Sequence, residues 1–223
     1  MFVKDQFQLD LSYRHFYNDA MKIAAVIFDL DGTLTCPFLD FDQIRAEIGN
    51  ISGPILEAMA QMPPEQLKRA QDILHRHEQV AAENAQLNPG VHSVMSWLQQ
   101  RQLQIGLVTR NRRRSVDHIS QAHHLRFNSI VTREDGPVKP DPFPVLRACA
   151  EMNVQPQETV VVGDYLFDLL SATRAGALNV LLCTNENHDE FSAQADYIIS
   201  SLNELPGVID IIEDRAHGCV DAG

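Results

Sequence analysis

From residue 89 to residue 202 the chain alternates short apolar runs with helical segments, a rhythm that few architectures accept. VHSVMSWLQQRQ reads as a helix and LQIGLVT as a strand; RRRSVDHISQAHHL is a helix and FNSIVT a strand. DPFPVLRACAEMN pairs in the same way with ETVVVGD, and YLFDLLSATRAGA with LNVLLCT, before a last strand, DYIISS. Gly176 stands near the C-cap of the fourth of these helices. An apolar run at 22–29, rich in Ile, Val and Phe, supplies one strand more. Strands that alternate with helices form a mostly parallel sheet with helices on both faces, so the fold class is α/β, a doubly wound sheet.

Residues 36–88 break that rhythm. FDQIRAEIGN is a short helix stopped by Gly49, Pro54 suits the first turn of ILEAMAQM, and Pro63-Pro64-Glu65 opens a long helical pattern. Leu67, Ala70, Leu74, Ala81 and Ala85 recur at helical spacing as far as Leu87, and Asn88-Pro89-Gly90 ends the pattern. The segment carries no strand signal and reads as an all-helical insertion. The expected organisation is therefore an extension at 1–21, an α/β core from 22–35 and 89–202, a helical insertion at 36–88, and a C-terminal segment at 203–223.

A length of 223 residues suits one such domain with its insertion, and 44% hydrophobic residues suffice for a core. No run of 18 apolar residues suggests a membrane span, and the first residues lack the pattern of a signal peptide. Cys36, Cys149, Cys183 and Cys219 are scattered, without metal-type spacing, and read as reduced thiols. A net charge of −12 argues against a nucleic-acid partner. The expectation is a cytoplasmic protein without nucleic-acid or membrane partners.

Open α/β sheets bind ligands beyond the carboxyl ends of their strands. Asp29, Asp31, Gly32 and Thr33 follow the first strand, in VIFDLDGTLT. Thr109, Arg110 and Asn111 follow the second, Lys139-Pro140 lies beyond the third, and Asp164 and Asp168 follow the fourth in GDYLFD. Each is common alone as a turn or cap residue. Together they bring four carboxylates, hydroxyls and a lysine to one edge. That set suits phosphoryl transfer: carboxylates for Mg²⁺, and Lys139, Thr109, Arg110, Asn111, Thr33 and the backbone at Gly32 as candidate phosphate contacts.

The motifs DLDGT (29–33), a strand-ending Thr109, Lys139-Pro140 and GDYLFD (163–168) resemble those of the haloacid dehalogenase superfamily, over residues 22–202. Within it the chain resembles the phosphatases that insert a helical cap after the first motif, including phosphoglycolate phosphatases. The resemblance implies a Rossmann-like core and a Mg²⁺ cofactor. It makes Asp29 the nucleophile that becomes an aspartyl-phosphate, and Asp31 the general acid and then base. It gives Mg²⁺ to the Asp29 carboxylate, the Asp31 backbone carbonyl and Asp164, with Asp168 a ligand or a support beside it. Thr109 and Lys139 would hold phosphoryl oxygens, and the substrate would be a small phosphorylated metabolite. Dehalogenases lack the second aspartate, which is present here. A mutase, another phosphoryl transferase of the superfamily and a non-catalytic binding member remain as alternatives.

Overall fold

The computed structural model describes residues 22–183 and 191–218; the expected extension at 1–21, Thr184 and Cys219 lie outside them. In chain order the elements are β1 (Ala25–Phe28), α1 (Phe41–Ile48), α2 (Ile55–Met59), α3 (Pro64–Glu83), α4 (Val91–Gln100), β2 (Gln104–Val108) and α5 (Arg113–Ala122). There follow β3 (Ser129–Val131), α6 (Phe143–Met152), β4 (Thr159–Gly163), α7 (Leu166–Ala175), β5 (Leu178–Leu182), β6 (Tyr197–Ile199) and α8 (Leu205–Gly218). The six strands form one sheet in the order β3-β2-β1-β4-β5-β6, and every pairing is parallel.

β1 lies at the middle of this order and is buried on both faces, which is why it reads AVIF without polar alternation. The strand period still sorts its side chains. Val26 and Phe28 join the larger core with Val94, Leu98, Val116 and Ile209, from α4, α5 and α8. Ala25 and Ile27 join a second core with Val145, Ala148 and Ala172, from α6 and α7. Full burial of each large β1 side chain contributes roughly 1.5–3 kcal/mol. Phe28 stands opposite Leu107 on β2 and Val162 on β4. The next residue, Asp29, therefore leaves the sheet between the ends of those two strands, its N–H bonded to the Val162 carbonyl at 2.9 Å.

Helices α1, α2 and α3 share a small apolar core of their own, built from Ile44, Ile55, Met59, Ala70 and Leu74. The helical pattern of the sequence runs to Leu87, but α3 stops at Glu83. Asn84 ends it: both its backbone N–H and its side-chain amide donate to the Val80 carbonyl, at 3.1 and 2.8 Å. A side-chain amide competing for a helix carbonyl favours termination. The chain then pairs with the outgoing linker, through an antiparallel bridge between Thr35 and Leu87 and a bond from the Cys36 N–H to the Gln86 carbonyl at 2.8 Å. The Asn88 amide donates to the carbonyls of Gly32, Thr33 and Thr35 at 3.0, 2.8 and 3.3 Å. Both linkers of the insertion are thus tied to the loop that follows β1. Among the described residues no helix is long and apolar enough to cross a membrane.

Candidate active site

The loop after β1 is a compact turn. Leu34 and Thr35 donate their N–H groups to the Leu30 carbonyl at 2.9 and 2.8 Å, and Gly32 donates to the Thr35 carbonyl at 2.8 Å. Gly32 has a φ of +83°, and a Cβ there would lie 2.1 Å from Asp164 Oδ2. Glycine is required here both for the backbone angle and so that Asp164 can approach. The sequence suggested Gly32 as a backbone donor to phosphate; its N–H is engaged within the turn, so what it supplies is conformation and space. Thr33 also differs from expectation: it is fully buried, and its hydroxyl donates to Asp164 Oδ1 at 3.1 Å. It orients an acid rather than facing a phosphate. Gly32→Ala should lower the affinity for a divalent cation about tenfold by calorimetry, since the new methyl displaces Asp164; unchanged affinity would mean that Asp164 is not held at this turn.

Lys139 reaches the centre of the site. Its ammonium donates to Asp29 Oδ1 and Asp168 Oδ1 at 2.5 Å each, and to the Val108 carbonyl at 3.0 Å. Burial works against its charge, but Asp168 and Asp29 overcome that effect and raise its pKa. Asp168 is buried, and its other oxygen accepts from the Tyr165 N–H at 3.2 Å. Carboxylate oxygens of Asp29, Asp164 and Asp168 lie within 4.8 Å of one another, the one such group among the described residues. Burial pushes Asp29 well above the ordinary carboxylate range; Lys139 opposes the shift, while Asp168 and Asp164 add to it. Asp164 is pushed up to about 7, by burial first and by Asp168 next.

Asp31, on the same turn, meets different surroundings. The Asn111 amide donates to its Oδ2 at 2.7 Å. Burial raises its pKa, the Asn111 bond partly offsets this, and Glu78 adds to the rise. Thr109, buried at the end of β2, accepts from the Asn111 N–H at 3.1 Å and so fixes the loop that carries the amide. Asn111, expected as a phosphate contact, is thus bonded to Asp31. Arg110 is engaged elsewhere: its guanidinium donates to Glu57 of α2 at 2.9 and 2.6 Å, donates to the Lys139 carbonyl, and stacks on Phe167 at 4.9 Å.

Nothing in the sequence singled out Glu57 or Glu78. Glu78 of α3 is buried and receives Arg112 at 3.1 Å and Arg133 by two bonds. A surface helix glutamate looks the same in sequence, and only the packing of α3 on the core distinguishes it. A cleft beside α1 and α3, lined by Phe38, Leu39, Gln43 and His77 among others, contains none of the strand-end residues. The acids lie instead on the segments that follow β1 and β4.

The donor set fits a hard divalent cation. Mg²⁺ takes oxygen ligands and usually one or two carboxylates. Asp29 and Asp164 offer these, and the upward shift of Asp164, from burial first and the Asp168 charge next, is one that a bound cation would oppose. Asp168 has one oxygen bonded to Lys139 and the other to a backbone N–H, the place of a support for Lys139.

Residues 39–181 match the family model of the haloacid dehalogenase-like hydrolases. A haloacid dehalogenase-like hydrolase domain-containing protein of Arabidopsis thaliana is 31% identical over 211 residues, covering 86% of each chain. A phosphoglycolate phosphatase of Nitrosospira multiformis is 27% identical over 221 residues, covering 85% of this chain and 96% of its own. The crystal structure of a hydrolase from Pseudomonas syringae superposes with a TM-score of 0.72 at 24% identity, over 84% of this chain and 99% of that one, a likeness of fold.

Proposed function

The chain belongs to the haloacid dehalogenase-like hydrolases, and from that premise we propose that it is a Mg²⁺-dependent phosphatase acting on a small phosphorylated metabolite through an aspartyl-phosphate on Asp29. The observation that carries the reading is that one turn presents two carboxylates to two environments. Asp29 is bonded to a buried ammonium, and Asp31 to a neutral amide. Different surroundings are how paired carboxylates take different roles.

Asp29 attacks phosphorus, and the bond from phosphorus to the ester oxygen breaks. Asp31, whose pKa is raised by burial against the Asn111 bond, gives its proton to the departing oxygen. Asp31, now ionised, takes a proton from water as the water oxygen attacks the same phosphorus. The bond to Asp29 breaks and phosphate leaves. Lys139 offsets charge on the phosphoryl oxygens and keeps Asp29 aligned, while Asp168 keeps Lys139 in place. Thr109 lies beside them and contributes a hydroxyl. A bound Mg²⁺, held by Asp29, Asp164 and the Asp31 backbone carbonyl, supplies Lewis-acid stabilisation of phosphoryl charge. Covalent catalysis divides one difficult displacement into two.

Hydrolysis of 4-nitrophenyl phosphate should be lost on chelation and restored by Mg²⁺. The metal should also alter stability with a defined sign. Asp164 has its pKa raised to about 7, so the metal-free folded chain keeps a proton that the unfolded chain releases at lower pH. Metal-free stability therefore falls as pH rises through about 7. Mg²⁺ takes the place of that proton, so it should raise Tm more at pH 8 than at pH 6. Activity that survives chelation, or equal Tm gains at both pH values, would remove the metal from this site.

A further inference from the structure

The arginines along the seam between the helical insertion and the sheet are already matched with acids. Arg112 and Arg133 bond Glu78, and Arg110 bonds Glu57 through two nitrogens and both carboxylate oxygens. Arg45, a possible anchor for an anionic group, pairs with Asp42 at 2.6 Å. Arg110 lies on the loop that carries the site's amide donor. It follows Thr109, precedes the Asn111 that bonds Asp31, and donates to the carbonyl of Lys139. Phe167 supports its flat face.

Resting on the phosphate-ester reading of this site, we infer that Glu57 is a specificity-determining residue. By holding Arg110 in a bidentate pair, it selects esters with a neutral, hydroxyl-bearing leaving group over those with a second anionic group. A carboxylate or second phosphate arriving at the seam meets the Glu57 charge, and reaches Arg110 only by displacing a pair of short, charge-assisted bonds. A hydroxyl meets no such barrier. It donates to the remaining lone pairs of Glu57, which stays ionised because Arg110, against the effect of partial burial, holds its pKa below the usual value. The insertion as a whole favours the same choice, with four Lys and Arg against eight Asp and Glu in residues 36–88. The substrate class is then the phosphate monoester of a polyol or sugar. Discrimination comes from an unfavourable encounter built against the competitor.

The test uses a matched pair, 2-hydroxyethyl phosphate and 2-phosphoglycolate, which differ at the tail by an alcohol or a carboxylate. Their ratio of kcat/KM is measured with Mg²⁺, and their ratio of Kd by calorimetry on the Asp29→Asn form. The wild-type chain should favour the hydroxyl ester at least tenfold. Glu57→Gln should move both ratios at least fivefold toward the carboxylate, and adding Arg110→Gln should abolish that gain. Preference for 2-phosphoglycolate in the wild type, a smaller shift in Glu57→Gln, a shift that persists without Arg110, or binding of neither ester would overturn the assignment. If both esters bind with the expected ratios but none is hydrolysed, the phosphatase reading fails and the selection by Glu57 stands.

Discussion

Asp29→Asn should abolish turnover and leave no phosphorylated protein, whereas Asp31→Asn should keep the fold and the first step while losing about 10²–10⁴-fold in rate, the usual worth of a positioned acid–base group. The two changes remove one charge each from the same turn, and their surroundings separate the outcomes. An amide at position 29 is a poor nucleophile and also loses the charge that the Lys139 ammonium meets at 2.5 Å. At position 31 the carboxylate accepts from the Asn111 amide, a neutral partner, so its replacement breaks no ion pair. With 4-nitrophenyl phosphate, whose leaving group needs no proton, Asp31→Asn should slow the second step more than the first. Phosphate should then accumulate on the peptide containing residues 26–35, read as an added mass. Normal hydrolysis by pure Asp29→Asn protein would end the mechanism. A fall in Asp31→Asn of less than tenfold would assign proton transfer to another group.

Glu78→Ala should cost about 3–5 kcal/mol, the scale of leaving a buried charge without its partner. Arg112 and Arg133 arrive from the segments after β2 and β3 and meet on this one carboxylate, whose side chain is 3% exposed. Without it, two guanidinium groups face each other at the base of the helical insertion. For a chain of this length each kcal/mol shifts Tm by roughly 2–4 °C, so a fall of about 6–20 °C is expected in thermal unfolding. Glu78→Gln keeps the shape and hydrogen-bonding capacity, and should lose less than Glu78→Ala. A Tm change under 2 °C for Glu78→Ala would show that water, rather than the carboxylate, solvates the two arginines.

The alternation of strands and helices was legible because a central strand such as AVIF must be apolar on both faces, and because a helix repeat leaves its own spacing. That decided the parallel sheet, and with it the edge at which Asp29, Asp31, Thr109, Lys139 and Asp164 meet. Sequence alone also led to the expectation of a helical insertion, since a long stretch without strand signal cannot continue a sheet. It misplaced the end of α3, because the pairing of Thr35 with Leu87 is a contact between distant segments with no local signature. Partners within the site were likewise open until the chain folded. That Thr33 serves Asp164, that Asn111 serves Asp31 and that Asp168 serves Lys139 depends on which loops lie side by side. Glu57 and Glu78 depend on it most, for nothing near them in sequence sets them apart from solvated helix acids. Residue type and spacing determined which chemistry this chain can do, because strand ends converge in any sheet of this topology. The packing of the insertion on the core decided which charges stand over that chemistry, because ion pairs across a seam are fixed by tertiary contact.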